Sequence, residues 1–107
     1  MRIEDAELRK RFSGPGRCEH CKRICYRECH HIFTRGPESV NQIDVLTNLI
    51  ALCQECHLNV GGTVPRDRLL TIVAMREMEY LPGMIAELHR LRRLTPEGRE
   101  PHERTEW

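Results

Sequence analysis

Glu28-Cys29-His30-His31-Ile32-Phe33-Thr34-Arg35-Gly36-Pro37 sets two adjacent histidines at the end of a short run and immediately before a Gly-Pro loop. Tyr26, Ile32 and Phe33 favour extended backbone, so residues 26–33 read as a strand. Upstream lies Cys18-Glu19-His20-Cys21 and downstream Cys53-Gln54-Glu55-Cys56. A histidine pair flanked by two cysteine pairs points to a metal site with a base beside it. The bland alternative is a surface histidine pair of no consequence, and the rest of the chain decides between them.

The C-x-x-C spacing lets two thiolates hold one ion from a tight turn. One such pair says little; two supply the four thiolates of a closed tetrahedral zinc site. Cys18, Cys21, Cys53 and Cys56 are therefore the expected ligands of a structural Zn²⁺, with room for a β-hairpin between the two turns. A thioredoxin-like redox role is disfavoured because no βαβ pattern surrounds either pair. Cys25 and Cys29 remain. They read as small half-buried apolar residues; the rival reading groups Cys18, Cys21, Cys25 and Cys29 as one zinc set. His20 is expected to be exposed rather than a ligand.

At 107 residues the chain is enough for one small domain. Aromatic residues make up only 5%, so the apolar core should be thin and a metal staple is a plausible supplement. The net charge of +1 hides a gradient. Residues 1–36 carry nine Lys/Arg against five Asp/Glu, residues 37–65 none against three, and residues 66–107 eight of each. The basic excess thus lies beside the histidine pair, as in a nucleic-acid binder, though weakly. No long apolar run spans a membrane, and the start of the chain has no signal-peptide character. The expected compartment is the reducing cytoplasm, where six cysteines mean metal or reactivity rather than disulfides.

Residues 1–16 read as a short helical arm, ended by the turn signal Ser13-Gly14-Pro15-Gly16. The arm is either ordered or wraps a ligand. Leu49 to Leu52 is a short apolar run, expected as a second strand in the core. A helix should follow from Cys53 to about Val60, stopped by Gly61-Gly62, with His57 on its early turns. From Arg66 the pattern is helical, interrupted at Pro82-Gly83. Leu81, Met84, Leu88, Leu91 and Leu94 then form one apolar stripe. It serves either a helical hairpin covering the metal core, which is preferred, or a homodimer interface. Residues 95–107 read as a disordered tail. The expected organisation is an arm over 1–16, a core over 17–62, a helical extension over 63–94 and the tail.

The C-x-x-C turn, His30-His31, Asn48-Leu49 and Cys53-x-x-Cys56-His57 together resemble the HNH endonuclease family. The resemblance covers about residues 17–62, and the order of these motifs is its specific part. It implies an α+β fold with a small ββα-metal (His-Me finger) core carrying the four-cysteine zinc site; the C-terminal helical extension, read from periodicity, lies outside the resemblance. It also implies roles. His31 matches the general base; His30 and His57 match the ligands of a catalytic divalent cation, Mg²⁺ or Mn²⁺; Asn48 matches the central asparagine that ties the loop down and orients the base. A further histidine found in some members falls on Gly61 here, so a three-histidine site is not expected. Thr34-Arg35-Gly36 and the run from Asn48 to Cys53 are similar to those of small bacteriophage and prophage members. Phage packaging or other nucleic-acid-processing proteins are conceivable partners.

The chemistry suits that reading. A neutral imidazole with a pKa of about 6.5 can take a proton from water near neutral pH. A cation with few protein ligands keeps open positions for phosphate oxygens. Adjacent strand residues point to opposite faces, so His30 and His31 serve one site only if the strand ends or twists there. Arg35 is the best candidate for a DNA phosphate contact, ahead of Arg17, Lys22, Arg23 and Arg27. The expectation is a metal-dependent DNA endonuclease. The alternative is a non-catalytic zinc module that binds nucleic acid or protein and has no need of His30 or His57.

Overall fold

A computed structural model describes residues 2–33, 42–79 and 81–92. Arg35 with its neighbours Thr34, Gly36, Val40 and Asn41, the residue Leu94 and the tail over 95–107 lie outside the described residues, as does the side chain of Leu91. The chain forms a small mixed α+β domain: α1 (Ala6–Arg11), β1 (Gly14–Arg17), β2 (Ile24–His31), β3 (Leu49–Leu52), α2 (Gln54–Leu58), α3 (Arg66–Arg76) and α4 (Pro82–Arg92). The three strands make one sheet in the order β1-β2-β3, antiparallel throughout.

The first strand departs from expectation. Ser13-Gly14-Pro15-Gly16 reads as a turn, yet Gly14 to Arg17 pairs with Arg27 to Ile24. Proline cannot donate to a ladder and is therefore confined to edges, and this strand is an edge. Gly14 enters it at φ 81°. Gly16 is needed for space, because a Cβ there would lie 2.6 Å from Arg27 Nε. The Arg27 guanidinium crosses that gap to donate to the carbonyls of Gly14 (3.1 Å) and Ser13 (2.9 Å).

The second strand begins and ends two residues earlier than the apolar pattern suggests. The ladder stops at His31 because Asn48 N–H turns to the Val45 carbonyl (2.9 Å) instead of to Ile32; Ile32 N–H still reaches the Asn48 carbonyl (2.9 Å), and Phe33 N–H is taken by the Asn48 side-chain Oδ1 (2.6 Å). Leu49 to Leu52 is the expected core strand, buried along its whole length. A single 3-10 turn, Leu46–Asn48, leads into it. The helix after it is shorter than expected: α2 ends at Leu58, with Asn59 as its C-cap.

The N-terminal arm is folded onto the sheet. Asp5 caps α1 by accepting from the Leu8 N–H, and Phe12 packs on Leu49 and Ala51. On the other side, Leu69, Leu70, Val73 and Ala74 of α3 and Ile85 of α4 join Cys18, Ile50, Leu52, Cys53 and Cys56 in one core. Both helices therefore share a core with Cys18, Cys53 and Cys56. The register of α4 differs from the leucine stripe. Leu81 and Met84 are exposed, while Ile85 and His89 are fully buried. An i, i+4 pair faces inward, and the imidazole is accommodated because His89 Nε2 meets the Thr47 carbonyl at 2.7 Å.

Arg76 joins four parts of the molecule. It bonds both Glu19 carboxylate oxygens at 2.9 Å and the carbonyls of Leu46 (2.7 Å) and Leu49 (2.9 Å), and lies over the Phe12 ring. Glu19 in turn accepts the Ala51 N–H at 2.8 Å. Among the described residues no helix is long and apolar enough to cross a membrane.

Candidate metal centre and histidine site

The fold brings Cys18, Cys21, Cys53 and Cys56 together, with their sulfurs all within 4.8 Å of one another, a cluster compatible with zinc. Each C-x-x-C turn closes on itself. Cys21 N–H points to Cys18 Sγ and Cys56 N–H to Cys53 Sγ, both at 3.4 Å. The first turn lies between β1 and β2, where Lys22 takes a positive φ of 70°. The second forms the start of α2, with Cys53 as its N-cap.

The electrostatics favour a cation. Burial raises the Cys18 thiol, but N–H groups of Cys21, Cys53 and His20 outweigh it and hold its pKa at about 6. Burial, and then hydrogen bonding with Cys53, pushes Cys56 up. Four crowded thiols do not all ionise unaided, whereas a bound cation deprotonates them together. Cys25 and Cys29 stand apart from this group, packed against the two apolar clusters.

His20 differs from expectation. It is half-buried, with Nδ1 at 3.4 Å from Cys56 Sγ and Nε2 buried without a hydrogen-bond partner. Its position in the first turn carries it over the second pair, which the sequence alone does not reveal. Arg23 also points at the cluster, with Nη2 at 3.4 Å from Cys53 Sγ and 3.2 Å from Glu55. Of the expected phosphate-binding cations, Arg17 bonds the Lys22 carbonyl and Arg27 the carbonyls of Ser13 and Gly14 at the entry to β1, so both have structural tasks. Lys22 is exposed.

His30 and His57 come together although they are far apart in sequence. Their ring centroids are 4.9 Å apart, edge to face. β2 supplies His30, and α2 supplies His57 directly after the cysteine turn. His57 Nδ1 lies 2.7 Å from Glu28 Oε1. A carboxylate only accepts, so Nδ1 donates and the neutral ring keeps its lone pair on Nε2. Orientation of an imidazole by an outer carboxylate is a recurrent feature of metal-binding histidines. His30 Nε2 is buried and has no hydrogen-bond partner. Burial, followed by the charges of His57, His31 and Arg66, holds the His30 pKa at about 4, so its ring is neutral at pH 7. A neutral His30 with an orphaned Nε2 thus lies against a His57 whose Nδ1 is taken by Glu28.

His31 has other neighbours. It is buried, and its Nε2 lies 2.7 Å from Asp44 Oδ1. Burial alone would raise the Asp44 carboxyl, but the Asp5 N–H, His31, Gln42 and Arg9 outweigh it and hold its pKa at about 2. Asn48, fully buried, bonds residues on both sides of residues 34–41. Its Oδ1 accepts from Phe33 N–H at 2.6 Å and its Nδ2 donates to the Ile43 carbonyl at 2.9 Å. No family model matches the chain, and no curated protein or solved structure matches it either.

Glu28 and Asp44 are the site residues that sequence reasoning did not single out. Glu28 stood two residues before His30, on the same strand face, which is a usable signal. Asp44 gave none, because apart from Gln42 its partners come from α1, its cap Asp5 and the end of β2.

Proposed function

We propose that the chain is a metal-dependent DNA endonuclease of the HNH type. His31 serves as general base, and His30 and His57 hold a divalent cation, Mg²⁺ or Mn²⁺. The observation that carries this reading is the meeting of His30 with a Glu28-oriented His57, 4.9 Å apart and beside the four-cysteine cluster. The succession of β2, β3 and α2 agrees with a ββα-metal core. The bound cation would stabilise negative charge on the phosphate and the departing oxygen.

The protein side chains have separable tasks. Glu28 turns the His57 lone pair away from itself, and burial keeps His30 neutral. Asn48 holds the end of β2 against the entry to β3, which fixes the backbone next to His31. Cys53 and Cys56, carried at the start of α2, set the position of His57. His31 takes a proton from water, a step that a positioned base accelerates by roughly 10²–10⁴-fold.

Cleavage of supercoiled plasmid with Mg²⁺ or Mn²⁺ tests the assignment, comparing wild type with His31→Ala. The variant should lose most of the activity; equal cleavage by both would remove His31 from the reaction. A second reading, a non-catalytic zinc module, is favoured by the cysteine cluster, which forms without any need of the histidines. Wild-type protein that binds DNA, holds metal only at its thiolates and cleaves nothing would establish it.

A further inference from the structure

The two oxygens of the buried Asp44 carboxylate have unequal tasks. Oδ2 receives three donors: the Asp5 backbone N–H at 2.7 Å, Gln42 Nε2 at 3.0 Å and an Arg9 guanidinium nitrogen. Oδ1 faces His31 Nε2 at 2.7 Å. Asp44 and His31 are 2% and 7% exposed, so water competes little for these contacts. An ionised carboxylate accepts and cannot donate. His31 Nε2 must therefore carry the proton, and the neutral ring has its lone pair on Nδ1.

We infer that Asp44 is a positioning residue for His31, selecting the tautomer in which Nδ1 is the basic nitrogen, and that α1 locks Asp44 in place through Arg9 and the Asp5 backbone. The inference rests on the endonuclease reading, which makes His31 the base. A buried carboxylate can do this for an imidazole wherever it holds one ring nitrogen as a donor. It also gives the N-terminal arm a task. Arg9 and Asp5 belong to the first helical turns and their cap, so α1 supports the base from behind the sheet rather than reaching for substrate.

The asymmetry of the carboxylate dictates what an isosteric change does. In Asp44→Asn one oxygen becomes an NH2 group. Three donors converge on the Oδ2 position, so the amide oxygen must occupy it; the reverse orientation would set NH2 against three N–H groups. The NH2 group then faces His31 and donates to Nε2, which must be bare to accept. The ring proton moves to Nδ1, and the lone pair of the base points into the protein. Shape is conserved while the tautomer is inverted.

The test uses the zinc-loaded chain of 107 residues labelled with ¹⁵N. Long-range ¹H–¹⁵N spectra, at a pH where the ring is neutral, tell a protonated ring nitrogen from a bare one. Plasmid cleavage is measured on the same samples. Wild type should show Nε2–H at His31. Asp44→Asn should show Nδ1–H and lose roughly 10²–10⁴-fold in cleavage rate, the contribution of a positioned base. Nδ1–H in wild type overturns the inference, and that measurement needs no variant to fold. So does an Asp44→Asn protein with an inverted ring that cleaves at the wild-type rate. A wild-type chain with the Nε2–H ring that cleaves no DNA overturns instead the endonuclease reading beneath it, and the ring spectra separate the two failures.

Discussion

Replacing Asn48 with alanine isolates the residue that joins the two sides of the histidine region. The side chain is 0% exposed and makes two short hydrogen bonds, from Phe33 N–H at 2.6 Å and to the Ile43 carbonyl at 2.9 Å. Alanine leaves both backbone groups buried and unpaired. Each such orphan costs about 1–3 kcal/mol, so the expected loss is about 4 kcal/mol. On a urea slope of about 1.5 kcal/mol per molar, the midpoint falls by about 2–3 M. Zinc must be kept saturating, because metal release would add its own linkage. Asn48→Asp separates hydrogen bonding from packing. It has nearly the same size and keeps an acceptor for Phe33, but sets a carboxylate oxygen against the Ile43 carbonyl. It should be at least as damaging as alanine. Hydrogen exchange at Ile32 and Phe33 should quicken in both variants. A loss under about 1 kcal/mol in Asn48→Ala, or a near-native Asn48→Asp, would show that Asn48 fills space and holds nothing.

Purified chain should carry one zinc; stripping it with chelator, or changing Cys53 to serine, should unfold the first cysteine turn and α2, seen as lost metal by elemental analysis and lost far-ultraviolet circular dichroism. Unchanged thermal unfolding after complete chelation would contradict a structural metal. Arg76→Ala removes the bonds to Glu19 and to two carbonyls and should cost about 2–4 kcal/mol in urea unfolding, less than a fully buried pair because both side chains are partly exposed. Glu28→Gln weakens the hold on His57 and should lower Mn²⁺ affinity about 10–100-fold by calorimetry, whereas unchanged affinity would place the cation elsewhere. His30 has its pKa lowered from 6.5 to about 4 in the folded chain, so the unfolded chain binds more protons between those values. Stability should therefore fall as pH drops from 6.5 toward 4, and urea midpoints of His30→Gln should fall less over the same range.

What the sequence could reveal follows the distance over which each feature is decided. The cysteine cluster was legible because two C-x-x-C turns carry their own geometry and need only one hairpin to bring them together. β3 was legible because four consecutive apolar residues have one place to go. β1 was not, because Gly-Pro-Gly is locally a turn, and its strand depends on Arg27 crossing Gly16 to reach the preceding carbonyls. The stripe on α4 failed for a similar reason. Leucine periodicity pointed to Leu81 and Met84, but the inward position went to His89, whose partner is the remote Thr47 carbonyl. Asp44 is the extreme case, since nothing local marks it and all its donors but Gln42 come from other parts of the fold.

The division between His30 and His31 follows from the pleat. Neighbouring residues on a strand face opposite ways, and β2 ends at His31. The side bearing Glu28 and His30 meets α2, where His57 arrives one residue after Cys56. The side bearing Cys29 and His31 meets the α1 region, where Asp44 and Phe12 lie. One ring is thus desolvated and kept neutral, while its neighbour is tied to an anion. The ligand and base roles proposed for them call for such different settings, and adjacent positions on a strand supply them without any extra element. The joint action on one phosphate that is proposed for them would require the chain to bend after His31. Asn48 ends the ladder there, its own N–H turned to the Val45 carbonyl and its side chain taking the Phe33 N–H. The residue that ends the strand is therefore the one that would let the two faces meet.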